Sequence, residues 1–481
     1  MVVDDTGQPE AAKCTKWDGS SAECAVLLNL LWPLDCTFLN VHQRWLLIVL
    51  LFSLRPAAAQ VTAPTSDSLP QAPTPSQAPA PTPTEQSTAI PLTLDEALAM
   101  ANKNSPRLHA ANALLARATA ATQTARAYTN PQAEYFIGNQ SARPVKTPGT
   151  PGLLQHYAGY QTIEMPHERA TRREVADLGR TVQSYDRDTE QLSVTSTVKH
   201  AFYEAVRWKH EVEIARENLA LVQDLRNRVE IEVRVGEKGR LELTRAEAEL
   251  ARANFGVRSA QINLVDAVAS LRAVIAAPPD IAIDPRGALE PPVRLGPLNE
   301  LRAIVLQRHP VIAGANVALD QAEVELEHQR ALRVPQPTFY GEWERQPDLT
   351  FWRVGVTVPV PLWDRRKGQI ADAQATIRQA SAVRNQRQLE LTAALERAYE
   401  SYQLADQQAK SLEAGSLHEA ESAVEAARNA YKFGERGIVE VLDAQRVLQT
   451  VRGDLLDAQF ARESALIDLE ELGVVATGEK H

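Results

Sequence analysis

Aromatic side chains make up only 5% of the 481 residues and glycine only 22 positions, while Ala, Leu, Glu, Gln and Arg fill long stretches. That is the composition of long helices rather than of an α/β enzyme. Uninterrupted apolar runs of 18 residues are missing too, which leaves no candidate for a transmembrane helix. Basic runs are equally absent: 51 Lys and Arg against 61 Asp and Glu give a net charge of −10, so nothing is laid out to meet a phosphate backbone and no nucleic-acid partner is expected. Yet 44% hydrophobic and 23% charged residues lie within the range of a folded chain.

Cysteine is confined to Cys14, Cys24 and Cys36. Behind them, VHQRWLLIVLLFSLRPAAAQ (41–60) offers a short polar start with Arg44, an apolar run from Trp45 to Leu54, and Ala57-Ala58-Ala59 before Gln60. This is the pattern of a secretory signal peptide over 41–59 with an A-x-A cleavage site. Residues 1–40 then form an N-terminal extension ahead of a true start expected near Val41. The mature chain from Gln60 carries no cysteine, hence neither disulfide nor thiolate metal site. No cysteine follows the cleavage site, so no lipid-acylation signal is read. A Pro/Ser/Thr-rich segment, 60–91, follows and is too polar to bury a core, so an extended linker is expected.

Enzyme signatures are missing as well. His109, His156, His167, His200, His210, His309, His328, His418 and His481 show no H-E-x-x-H or other ligand spacing. No phosphate-binding or nucleophile-elbow glycine pattern occurs, and Met100 and Met165 are too few for a soft-metal relay. Neither an enzyme nor a bound cofactor is expected.

What is present is a duplication. Leu94 to Gln132 overlays Leu298 to Gln336 at an offset of 204, pairing Pro106 with Pro310, Asn112 with Asn316, Arg126 with Arg330 and Pro131 with Pro335. VGEKGRLELTRAEAEL (235–250) overlays FGERGIVEVLDAQRVL (433–448) at an offset of 198. Each unit opens on a helix, the first capped by Thr93 ahead of Asp95 and Glu96 and running to Pro131, its counterpart running to Pro335. Two short strands follow. In the second unit, 337–344 places Phe339 and Trp343 on one face against Thr338, Tyr340, Glu342 and Glu344. The returning 351–360 alternates Trp352, Val354, Val356, Val358 and Val360 with Arg353, Gly355 and Thr357. The first-unit strands, about 132–140 and 157–166, are joined by a Pro/Gly-rich loop.

From His167 to Val233 and from Leu362 to Tyr431 there is no proline and little glycine. Each run would span about 100 Å as a helix, too long for a globular domain. The runs end at Gly236/Gly239 and Gly434/Gly437, where reversal is easy, and return helices reach about Ala277 and Leu472. Two long antiparallel hairpins result. Two-faced strands in an exported chain without a membrane helix suggest a transmembrane β-barrel. Such a sheet must close, and four strands cannot close around a pore, so several chains must share one barrel. Strand arithmetic leaves dimer and trimer open.

Over Leu92 to Gly473 this plan resembles the TolC-like outer-membrane efflux protein family. Two motifs carry the resemblance. Residues 431–445, with Tyr431, Gly434, Arg436, Glu440, Asp443 and Gln445, are similar to the family's periplasmic tip. VPVPLWDRRKGQIADA (358–373) is similar to the strand-to-helix passage in outer-membrane components of cobalt-zinc-cadmium type cation efflux systems. The matching first-half passage, QTIEMPHERATRREVADLG, lacks that subfamily's Gly-Lys-Arg. The resemblance implies a mainly α fold with a small membrane β part, built as a homotrimer with a 12-stranded β-barrel continued by a 12-helix periplasmic α-barrel. It also implies an outer-membrane location with a long periplasmic part, a periplasmic adaptor (membrane fusion) protein, and an inner-membrane resistance-nodulation-division transporter. The implied activity is a passive exit duct, with heavy-metal cations as the expected cargo. Ducts for drug efflux or type I protein secretion share the architecture, and a periplasmic coiled-coil adaptor is the more distant alternative.

The expected organisation is a first repeat at 92–280 with its hairpin at 167–277, a linker at 281–297, a second repeat at 298–473 with its hairpin at 362–472, and a tail at 474–481. Glu440 and Asp443, three apart on one helical face, would form acidic rings in the trimer that favour cations. Their plainer role is to stabilise a helix N-terminus. The resemblance assigns Tyr431 and Arg436 to a latch with Glu242 as acidic partner, and an Arg436–Glu242 contact is expected. The turns at Gly236, Gly239, Gly434 and Gly437 would meet the adaptor.

Overall fold

The computed structural model describes residues 90–141, 151–289 and 291–474. The signal-peptide, linker and cysteine expectations, and the C-terminal tail beyond Val474, lie outside them.

Each repeat starts with a pair of helices rather than the single helix expected. In the first, α1 (Leu94–Asn104) stops at Ser105 and α2 (Pro106–Arg126) begins anew. In the second, α5 (Leu298–Arg308) stops at His309 and α6 (Pro310–Ala331) follows. Proline lacks the N–H of an interior turn and drives the preceding residue out of the helical region. Ser105 accordingly sits at φ −60°, ψ 119° and His309 at φ −66°, ψ 130°. Thr93 and Glu96 cap α1 reciprocally, each side chain accepting from the other's backbone amide. Such a box stabilises a helix start by about 1 kcal/mol.

The strands follow: β2 (Gln132–Gln140) and β3 (Gly152–Thr162), then β5 (Thr338–Arg345) and β6 (Thr350–Thr357). β3 starts and ends earlier than the alternation suggested, because Pro166 already opens the next helix. They form one antiparallel sheet in the order β2-β3-β5-β6, so the central β3–β5 pairing joins the two repeats. A second, two-stranded parallel pair links β1 (Ile90–Leu92) to β4 (Ile283–Pro285), inside the segment expected to be a plain linker. Farther along that segment, Tyr402 Oη donates to the Val293 carbonyl at 2.8 Å and accepts from its amide at 2.6 Å.

The helix α3 (Pro166–Arg234) is continuous for 69 residues, about 100 Å, and α4 (Arg240–Val274) returns beside it. In the second repeat the helix starts at Lys367, later than expected. Pro359 and Pro361 interrupt the passage from β6, and Arg366 takes a left-handed φ of 56° before the first turn. There α7 (Lys367–Ser411) passes through a π turn, Leu412–Ser416, into α8 (Leu417–Lys432), and α9 (Ile438–Glu471) returns. The apolar core is not one mass but patches along the rods. One joins Val198, Phe202 and Val206 of α3 to Leu271 and Ile275, and another joins Leu391, Leu395 and Tyr402 of α7 to Leu466 and Leu469.

His309 fastens α6 to the end of α9. Its Nδ1 accepts from the Val311 amide at 3.3 Å, which leaves Nε2 to donate to the Glu471 carbonyl at 3.3 Å. Burial pushes the imidazole pKa down, opposed only in part by the carbonyl and charge of Glu471. The neutral form is therefore favoured in the folded chain. The His309 contribution is complete above the unfolded value of about 6.5 and is lost as pH falls toward the lower folded value. Melting curves between pH 7.5 and 5.0 should show a pH-dependent loss of stability that is smaller in His309→Gln than in the wild type.

Candidate functional site: the sheet faces and the hairpin tips

Strand pairing sorts side chains onto two faces. Tyr135, Tyr157, Trp343 and Trp352 lie directly opposite one another across all four strands, with ring centroids 4.7 Å apart for Tyr135–Tyr157 and 5.5 Å for Tyr157–Trp343. Phe339, Val354 and Val356 share that face, and Trp352 and Val354 are 73% and 74% exposed. An apolar face this open has no water-soluble rationale in a single chain. The opposite face carries Glu134, His156, Tyr160, Tyr340, Glu342, Glu344 and Arg353, in agreement with the alternation of the second-repeat strands. Gly355 leaves room for the Tyr340 ring, whose Oη lies 2.5 Å from where a Cβ would stand.

On that polar face Arg353 pairs with Glu342. His156 sits between two carboxylates, Nε2 3.9 Å from Glu342 and Nδ1 3.6 Å from Glu344, and its ring stacks on Phe136 at 4.5 Å. Sequence reasoning assigned His156 nothing. Its neighbours are 186 and 188 positions away, and only the β3–β5 register brings them together.

At the far end, the two hairpin tips pack side by side. Leu225, Val229 and Ala246 of the first meet Tyr431, Ile438, Val441 and Leu442 of the second in one buried patch. Gly236 and Gly434 turn the chain at φ +86° and +76°, a region that penalises any Cβ. Gly239 and Gly437 play another part: at φ −81° and −83° they are extended N-caps of the return helices.

The expected Arg436–Glu242 contact is not formed within the chain. Arg436 is exposed on the turn, and one buried Glu242 carboxylate oxygen has no hydrogen-bond partner. Tyr431 donates instead to Glu232, in the last turn of α3, with Lys238 Nζ 5.3 Å from its ring centre. Burial and the nearby Glu232 and Glu242 charges push the Tyr431 phenol far above its ordinary range, so it remains a donor at any physiological pH. Glu232 escaped notice because no motif marks it; it reaches Tyr431 through the side-by-side tips.

Glu440 and Asp443 occupy the first two turns of α9, both exposed on one side. Their surroundings differ. Asp443 accepts from Arg446 at 3.2 Å, and Arg446 also holds Glu249 of the first hairpin at 2.6 Å. Glu440 folds back over Gly437, its Oε2 3.3 Å from the place of a Cβ there. Farther along α9, Arg452 reaches Glu217 at 3.2 Å and Glu421 at 3.0 Å, and Gln449 accepts from Asn218 at 2.9 Å. These polar rungs tie α9 to both hairpins. Among the described residues, no group of three or more His, Asp and Glu side chains is gathered as a ready metal site, and no helix is long and apolar enough to cross a membrane.

Residues 301–473 match the family model for outer membrane efflux proteins. The cobalt-zinc-cadmium resistance protein CzcC of Cupriavidus metallidurans is 24% identical over 374 residues, covering 76% of this chain and 86% of that protein. The pyoverdine export outer membrane protein OpmQ of Pseudomonas aeruginosa is 24% identical over 298 residues, 59% of this chain and 62% of that protein. The crystal structure of CusC, which forms a transmembrane channel, superposes with a TM-score of 0.68 at 19% identity, covering 79% of this chain and 91% of that one. The second repeat thus carries an outer membrane efflux protein domain, and the fold along 79% of the chain is shared with CusC.

Proposed function

We propose that three copies of this chain form a passive duct through the outer membrane and across the periplasm, the exit channel of a tripartite efflux system. The observation that carries this reading is the sheet: one apolar face, one polar face and, among the described residues, two unpaired edges, β2 and β6, continuous with helices about 100 Å long. Joining β6 of one copy to β2 of the next closes twelve strands and leaves no edge in lipid. The apolar face then meets hydrocarbon and the polar face lines water. The hairpins of three copies supply the staves of the periplasmic tunnel. A periplasmic adaptor would dock at the tips, and an inner-membrane resistance-nodulation-division transporter would supply energy and selection.

Heavy-metal cations are the proposed cargo. The likeness to CzcC spans more of this chain than the likeness to OpmQ, and the polar face and the tip are both rich in carboxylates. In the trimer Glu440 and Asp443 would stand as stacked acidic rings at the narrow end. Because Arg446 offsets part of the Asp443 charge, Glu440 carries the larger share of the field. Arg436 and Glu242, apart within one chain, would meet between neighbouring copies.

In planar bilayers the purified protein should give large cation-selective openings. Glu440→Gln should lower the cation-to-anion permeability ratio more than Asp443→Asn does; equal ratios in wild type and double variant would discard the ring. Tyr431→Phe removes a hydrogen bond to a charged group, worth about 1.5 to 3 kcal/mol, and should raise basal conductance. Arg436→Glu should leak likewise, and Glu242→Arg added to it should restore closure; a double variant that still leaks excludes that pair from the latch.

A further inference from the structure

The polar face of the sheet holds an arrangement that the duct reading does not use. His156 is 6% exposed, and its Nδ1 is buried without a hydrogen-bond partner. A buried ring nitrogen left unsatisfied is costly and calls for an explanation. The groups around it are ordered. Phe136 stacks on the imidazole and fixes its plane. On the Nε2 side stands Glu342, whose Oε2 at 3.9 Å can support an Nε2–H once an ion takes the Nδ1 lone pair. On the Nδ1 side stands Glu344, with Oε2 at 3.6 Å, while its Oε1 accepts from Gln346 at 2.8 Å. A carboxylate behind one ring nitrogen and a second carboxylate beside the other, which has no hydrogen-bond partner, is an arrangement that can hold a metal ion between the two donors.

We propose that His156 Nδ1 and Glu344 Oε2 form a two-donor binding site for a borderline divalent transition-metal cation, one per chain, on the inner face of the barrel. Bond lengths near 2.0 to 2.2 Å to nitrogen and oxygen put adjacent donors about 3 Å apart, so a small side-chain adjustment admits the ion, with water completing its shell. An imidazole and a carboxylate suit Co²⁺ or Zn²⁺ better than a soft monovalent ion. Two protein donors make a weak site, which is what a conducting path requires, because an ion must leave as readily as it enters. Arg353, paired to Glu342, keeps that carboxylate from becoming a third ligand and holds it in its supporting place. The location inside the lumen rests on the duct reading; the donor geometry does not.

The test uses untagged, full-length processed protein in detergent, titrated with Co²⁺ alone and followed by its visible absorption, which reports ligand number and type. The expected result is one site per chain that loses at least about tenfold in affinity in His156→Gln, in Glu344→Gln and, as a supporting residue, in Glu342→Gln. Glu440→Gln combined with Asp443→Asn should leave the titration unchanged. Circular dichroism and melting curves establish that each variant is folded, and Glu344→Gln decides the matter should His156→Gln not fold. Wild-type titration curves reproduced by folded His156→Gln or Glu344→Gln, or no site below millimolar Co²⁺, would overturn the proposal. Bilayer conductance on the same preparation separates the two ideas: conductance without a Co²⁺ site sinks the site alone, and a Co²⁺ site without conductance sinks the duct alone.

Discussion

Among the described residues no strand pairs with the outer edges of β2 and β6, and the sheet between them carries an exposed aromatic and aliphatic face. In hydrocarbon each unpaired backbone group on such an edge would cost several kcal/mol, so a four-stranded amphipathic sheet cannot stand alone in lipid. In the duct reading, other copies of the same chain must satisfy those edges, and closure in turn sets the rest. It turns His156, Glu342, Glu344 and Arg353 toward water and the row Tyr135, Tyr157, Trp343 and Trp352 toward lipid. It also brings the long helices, which leave the sheet on one side, around a common axis. The β3–β5 pairing is what makes one chain a single unit of this kind, since it converts two repeats into one continuous wall segment.

Stability along the rods is distributed rather than central. The apolar patches near Phe202 and near Tyr402 hold the middle of the long helices, where buried large side chains and the β1–β4 pair accumulate. Toward the tips the patch around Ile438 and Val441 is smaller, and polar rungs such as Arg446–Glu249 and Asn218–Gln449 replace apolar contacts. Polar rungs at partly exposed positions contribute about 1 kcal/mol or less each. A structure firm at mid-length and more easily rearranged at the tip follows from that gradient, and in the duct reading it suits a gate at the tip.

Much of this architecture was legible in the sequence, for physical reasons that can be named. The second-repeat strands alternate cleanly, so their faces could be assigned residue by residue, and Gly236 and Gly434 mark turns that need left-handed backbone. The break before Pro106 and Pro310 was equally visible in principle, since a proline one position into a helix pushes its predecessor to extended geometry. Other features could not be read. Tyr431 and Glu232 are 199 positions apart and Arg446 and Glu249 are 197 apart, so these pairs exist only because the repeats lie side by side. Arg436 stays exposed on its turn and does not reach Glu242 within the chain; in the duct reading neighbouring copies would supply the other side of each tip. His156 carried no motif, since its donor partners sit on another strand.

The closure of the sheet by neighbouring copies is tested most directly by cysteine cross-linking in outer membranes. With Cys14, Cys24 and Cys36 replaced by Ser, one cysteine is placed on β2 at Tyr135 and a second in turn on β6 at Trp352, Val354 or Val356. Within one chain β2 and β6 are three strand spacings apart, about 14 Å, too far for a disulfide whose Cα atoms must approach within about 7 Å. Closure by three copies predicts a ladder ending at covalent trimers for at least one β6 position. Monomers alone at every position, or a ladder ending at dimers, would contradict it.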